Sequence, residues 1–132
     1  MAVIIGSERD REYAERAIRV LEEAGVDVVT AVLSAHRTPE KLDEFIKEND
    51  EKIDVYIAMA GLAAHLPGYI AARTRKPVIG VPLPVGPLNG VDALLSIVQM
   101  PRGVPVATVG IGNAENAAHL ALRMLALAGR CE

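Results

Sequence analysis

The chain has 132 residues, 51% of them hydrophobic and 23% charged, with a formal net charge of -3. That balance excludes a disordered chain and lacks the basic excess of an electrostatic nucleic-acid binder. Aromatic residues are 3% with no Trp, so a base-stacking platform is not expected and the core must be built mainly from Val, Ile, Leu and Ala.

The elements follow in chain order. Ala2 to Ile5 is a short apolar run of strand character. Asp10 to Ala24 carries Tyr13, Ala14, Ala17, Ile18, Leu21 and Ala24 on one helical face, and Gly25 supplies the stop. Val26 to Leu33 is a second strand. A helix then starts with Thr38 as N-cap and Pro39 as first residue, and runs to Asn49 with Leu42, Phe45 and Ile46 inward. Ile53 to Met59, Pro77 to Val81 and Val104 to Gly110 are three more strands, and Asn113 to Ala128 is an alanine- and leucine-rich closing helix. Short β-branched runs alternating with helices predict an α/β fold. The expected form is a three-layer α/β/α sandwich, a flavodoxin-like five-stranded parallel sheet of order 2-1-3-4-5. No linker or internal repeat divides residues 1–132, which read as a single domain. No run reaches the ~18 apolar residues of a membrane span, the first ten residues lack the basic start of a signal peptide, and the lone Cys131 cannot form an internal disulfide. A cytoplasmic protein with no membrane partner is expected.

From Pro77 to Pro101 the only charged residue is Asp92. That run exceeds the five or six residues of a typical strand. It reads as a buried strand plus buried loop, or as a subunit interface; the interface is the favoured reading.

Ligands of open α/β sheets bind beyond the carboxyl ends of the strands. Those ends are Gly6 to Asp10, Ser34 to Arg37, Ala60 to Gly68 and Pro82 to Gly90. Ser7, Asp10, Ser34, His36, Arg37 and His65 can therefore converge on one edge. Gly6-Ser7 before a helix suits an anion, and Arg37 adds a planar cation suited to phosphate. Asp10 on its own reads as an N-cap. His65, between Ala60-Gly61-Leu62-Ala63-Ala64 and Leu66-Pro67-Gly68, is either a proton carrier or a histidine satisfied by backbone at a helix start. His119, within the last helix, reads as structural. No Cys or His spacing suggests a metal site. There is no GxGxxG after the first strand and no GxxxxGK[ST], so dinucleotide and Walker-type nucleotide binding lack support. The end of the third strand carries Met59-Ala60-Gly61 where a phospho-receiver domain needs an aspartate.

GS-x-x-D, SAHRTP, AAHLPG, GVP, LNG-x-D and SIVQMP-x-GVPVATV, in that order over about Val3 to Leu125, closely resemble the N5-carboxyaminoimidazole ribonucleotide mutase family of purine biosynthesis. The third loop has the form of the mutase class, unlike that of the related carboxylases that use CO2 directly. The resemblance implies a homo-octamer and an isomerase with no metal or organic cofactor. Its substrate would be a ribonucleotide 5'-phosphate, whose carboxylate moves from the exocyclic nitrogen to the ring carbon through CO2. It implies His65 as acid/base and Ser7, Asp10, Ser34, Arg37, Ala60, Gly61 and Leu66 as substrate contacts. His36 would have a supporting role behind them.

The departures from the family pattern fall at the site. Arg9 stands in place of a serine, Met59 and Leu62 in place of glycines, and Val85 in place of a serine, with Pro87 stiffening the same loop. Arg9 either binds phosphate or blocks it, and Leu62 is placed to crowd the imidazole. The family commonly continues into a further C-terminal helical segment, so residues 1–132 read as a domain truncated there. The alternative to a working mutase is a weakened or inactive homologue kept as a structural oligomer or an assembly component.

Overall fold

A computed structural model describes residues 1–130; Cys131 lies outside the described residues. Five parallel strands, β1 (Ala2–Ile5), β2 (Val29–Val32), β3 (Tyr56–Gly61), β4 (Val78–Leu83) and β5 (Ala107–Thr108), pair in the order β2-β1-β3-β4-β5. This is the expected order. Five helices connect and flank them: α1 (Arg11–Glu23), α2 (Pro39–Asn49), α3 (Leu66–Ala71), α4 (Val91–Val98) and α5 (Ala114–Leu127).

Alternation along the strands divides the core between the two faces of the sheet. Val3 and Ile5 of β1 share one buried cluster with Ala14, Ala17 and Leu21 of α1 and with Ala114, Ala117, Ala118, Ala121 and Leu125 of α5. Ala2 and Ile4 share the other with Leu42 and Ile46 of α2, Ile70 of α3, and Ala93 and Ile97 of α4. Alanines on both α1 and α5 let those two helices pack directly against each other.

Two expected strands are much shorter in the structure, and a third is shifted. β2 begins at Val29 because Val26 is spent on ending α1. The Val26 N–H donates to the Leu21 carbonyl (3.0 Å) and the Gly25 N–H to Glu22 (3.0 Å), with Gly25 at φ 79°. That is a Schellman stop, and glycine fits its left-handed position. β5 keeps only Ala107–Thr108 of the expected Val104 to Gly110. Pro105 has no N–H to offer a ladder just before it. β3 starts later than Ile53 and runs past Met59, since Ala60 and Gly61 still pair with Pro82 and Leu83 of β4. The strand therefore carries its backbone straight to the site.

The helix starts also hold a correction. Thr38 occupies the N-cap of α2, but its hydroxyl makes no cap bond. It turns back to Ser34 instead, accepting from the Ser34 N–H at 2.9 Å and donating to the Ser34 carbonyl at 3.3 Å. Asp10 likewise stands at the N-cap of α1 without a side-chain cap bond. Both side chains are thereby withheld from the ordinary capping role.

Candidate functional site

A cavity of about 270 Å³ opens at the carboxyl ends of β1, β2 and β3. Its wall contains Ser7, Arg9 and Asp10 from the first loop, Ser34, His36 and Arg37 from the second, and Ala60, Gly61, Leu62, His65 and Leu66 from the third. All seven expected substrate contacts line it, together with both site histidines. Among the described residues, no group of three or more His, Cys, Asp or Glu could hold a metal ion. No helix there is long and apolar enough to cross a membrane.

The β2 loop is built by Ser34. Its hydroxyl oxygen accepts from the backbone N–H groups of Arg37 (3.1 Å) and His36 (3.3 Å), and its backbone is closed onto Thr38. This local turn raises His36 and Arg37 off the strand end while leaving the serine's own O–H to donate. The Ser-Ala-His-Arg-Thr run is thus a folding unit as well as a source of polar side chains.

His65 closes the third loop. Its N–H donates to the Ala63 carbonyl (2.9 Å), and its carbonyl accepts from the Tyr69 N–H (2.8 Å), the first turn of α3. Backbone satisfaction therefore does not use the imidazole. That ring meets His36: His36 Nε2 and His65 Nδ1 stand 2.6 Å apart, with the rings edge-on at 78°. Such a contact requires one proton between two nitrogens, one ring donating and the other accepting. The other nitrogen of each ring remains for exchange with a ligand. The strand-end reading had His36 converge on this edge, while the family resemblance implied a supporting role for it; in the structure it forms part of the cavity wall and bonds to His65 directly. The two lie 29 residues apart, and their convergence on one edge was legible while the direct bond was not.

Asp10 is buried, at 3% exposure. Burial pushes its carboxyl above the ordinary value, and the Arg9 guanidinium, with Nε 3.9 Å from Oδ1, opposes that shift. Arg9 itself is largely exposed. In place of the usual serine it brings a second cation to the cavity wall beside Arg37.

The apolar replacements divide. Met59 is fully buried in the cluster with α1 and α5, and its side chain faces away from the cavity. The sequence reading set Met59 and Leu62 beside the expected reaction centre; of the two, only Leu62 lines the cavity. Val85 is outside the cavity wall; its Cβ and Cγ2 occupy the space where a Cβ on Gly61 would lie, within 2.6 to 2.7 Å. It supports the backbone from behind, and Gly61 must remain glycine for the two loops to approach. Leu62 does line the cavity and is 40% exposed. Its φ of 57° is left-handed, a conformation that costs a non-glycine residue about 1–2 kcal/mol. One δ-methyl lies 2.6 Å from where Gly86 would carry a Cβ, so Leu62 leans on the β4 loop. His119 stands apart from this edge, beside Asn116 and Arg123.

Comparison with known proteins places these features in company. A model of the family described as AIR carboxylase matches residues 1–130. An N5-carboxyaminoimidazole ribonucleotide mutase of Methanocaldococcus jannaschii is 58% identical over 127 residues, covering 96% of this chain and 79% of the relative. One of Saccharolobus solfataricus is 56% identical over 128 residues, covering 96% and 81%. The crystal structure of Treponema denticola PurE superposes with a TM-score of 0.86 at 31% identity, covering 96% of this chain and 79% of that one.

Proposed function

The chain belongs to the AIR carboxylase family, and from that membership we propose that it is an N5-carboxyaminoimidazole ribonucleotide mutase, an isomerase of purine biosynthesis. The reading is carried by one observation: two imidazoles in hydrogen-bond contact inside a cavity rimmed by Ser7, Ser34, Arg9 and Arg37. Cations, hydroxyls and a helix N-terminal turn suit a ribonucleotide 5'-phosphate. Asp10 suits a ribose hydroxyl. The strand-end backbone at Ala60 and Gly61, with Leu66 beside it, suits a flat heterocycle lying close to the main chain.

The reaction needs a proton delivered and a proton removed. As the N–C bond of the carbamate breaks and CO2 leaves, the exocyclic nitrogen takes a proton from the imidazole. The ring carbon then attacks CO2, and the proton it sheds returns to the imidazole. One histidine serves both steps because it ends as it began. We assign that exchange to His65. The His36 contact makes His36 the partner that shares its proton, so the two rings act as one acid/base unit. A narrow cavity keeps CO2 beside its acceptor between steps. No cofactor is required by this scheme.

The reading extends to a homo-oligomer, an octamer by family resemblance, working in the cytoplasm. Exposed Val91, Leu95 and Val98 on α4, with neighbouring Leu88 and Ile111, support the self-association. Their spacing of four and three residues makes one apolar stripe.

Interconversion of carboxyaminoimidazole ribonucleotide and its N-carboxy isomer by the purified protein is the test. Turnover is expected in the native protein, and a loss of at least about a hundredfold in both His65→Asn and His36→Asn. A native protein without turnover overturns the mutase reading. Loss in His36→Asn alone would move the acid/base role from His65 to His36.

A further inference from the structure

We infer that Tyr69 is a positioning residue that fixes the distance between the His36 and His65 loops and so sets the imidazole contact. The inference rests on the proposed role of the histidine pair. The pair joins two loops from different strands, so its geometry depends on how α2 and α3, which follow those loops, are held together. Tyr69 spans that gap. Its backbone N–H donates to the His65 carbonyl (2.8 Å). Its hydroxyl donates to Asp43 Oδ1 on α2 (2.8 Å) and lies 3.4 Å from the carbonyl of Pro39, the first residue of α2. Pro39 is three residues from His36, across a loop that Ser34 and Thr38 hold closed. One residue therefore joins the two, its backbone bonded to the carbonyl of one site histidine and its side chain to the helix that follows the other.

Arg73 locks this strut. Its Nε donates to the same Asp43 oxygen (2.6 Å), its Nη1 to the Tyr69 carbonyl (3.0 Å), and its guanidinium carbon stacks 3.5 Å above the Tyr69 ring centre. The Arg73 and Asp43 side chains are 38% and 50% exposed. A pair this open contributes only about 0–1 kcal/mol to global stability. The arrangement thus has more to offer local geometry than overall stability.

Tyr69→Phe keeps the ring and its stacking but removes the hydroxyl bonds; Asp43→Asn is the second variant, weakening the same strut from α2. The readout is the imidazole nitrogen signals of His36 and His65 by 1H–15N NMR, which report the shared proton without any substrate. In the native protein the facing nitrogens should show one hydrogen-bonded proton between them. Both variants should shift those signals toward isolated, solvent-exchanging imidazoles, with kcat down about tenfold, short of the roughly hundredfold cost of a full ångström of misplacement, and KM little changed. Imidazole signals superimposable on the native ones in both variants would overturn the inference, whatever happens to the melting temperature. Shifted signals in a protein whose native form lacks turnover would support the positioning role while removing the mutase reading.

Discussion

Asp10 is the residue at which the proposed function and folding stability pull apart. Its folded-state carboxyl binds its proton more tightly than the unfolded chain does, chiefly because it is buried. Below the ordinary value of 3.8 both states are protonated and no penalty exists. As pH rises through the raised folded-state value, the buried group must ionise, and that favourable share of stability is lost. Asp10→Asn should therefore be more stable than the native protein at pH 7, with the gap closing as pH falls toward 3.8. Paired melting curves across that range check the sign; a destabilised variant at pH 7 would refute it. The same change should weaken ribonucleotide binding about tenfold or more, through loss of a charged hydrogen bond. Titration calorimetry measures that arm. Leu62 also breaks a local rule, since the structure holds it in a left-handed turn that glycine would adopt without strain. Its identity was plain in the sequence, but its lean onto Gly86 was not. That contact depends on where the β4 loop passes, 24 residues further along the chain.

At the scale of elements, the parallel sheet and its order were legible because each strand is a short β-branched run and α1, α2 and α5 show clear helical patterns; α3 and α4 were not legible, because Pro and Gly interrupt the stretches that hold them. What misled was local competition for backbone. Val26 looks like strand but caps a helix, and Thr38 looks like a cap but braces a loop. Apolar pattern cannot separate those uses, because the same residue type satisfies both. The cavity-lining residues were legible as a set, since the carboxyl edge of the sheet gathers the loop ends. The His36 contact was not, because it depends on the angles at which α2 and α3 leave the sheet. Gly80 controls one of those angles. A Cβ there would fall 2.5 Å from Ile97 Cγ2 and 3.2 Å from Pro67, so α3 and α4 both close against bare β4 backbone. Gly80→Ala should cost about 1–3 kcal/mol by wedging those helices outward. Urea denaturation gives the value, and a variant of unchanged midpoint would show that the helices yield without strain.

For the molecule as a whole, the run from Pro77 to Pro101 turns out to be two things. β4 is buried throughout, as the plainer of the two sequence readings had it, but the loop that reading also took as buried is largely exposed from Pro84 to Asn89, and α4 beyond it buries Ala93 and Ile97 and exposes Val91, Leu95 and Val98 at 50 to 55%. The exposed stripe is the part proposed above for self-association. Leu95→Lys, at 55% exposure, should leave the fold unchanged by circular dichroism and shift the assembly toward monomer at micromolar concentration. Sedimentation velocity distinguishes the outcomes, and an unaltered oligomer would exclude α4 from the interface. The cavity wall draws its residues only from Gly6 to Leu66, and this stripe begins at Val91. On the proposed reading, chemistry and assembly would then draw on separate halves of the chain. On that reading, substitutions confined to the α4 stripe would retune how copies associate without altering any side chain in the cavity wall, so quaternary structure would diverge while the reaction is held constant.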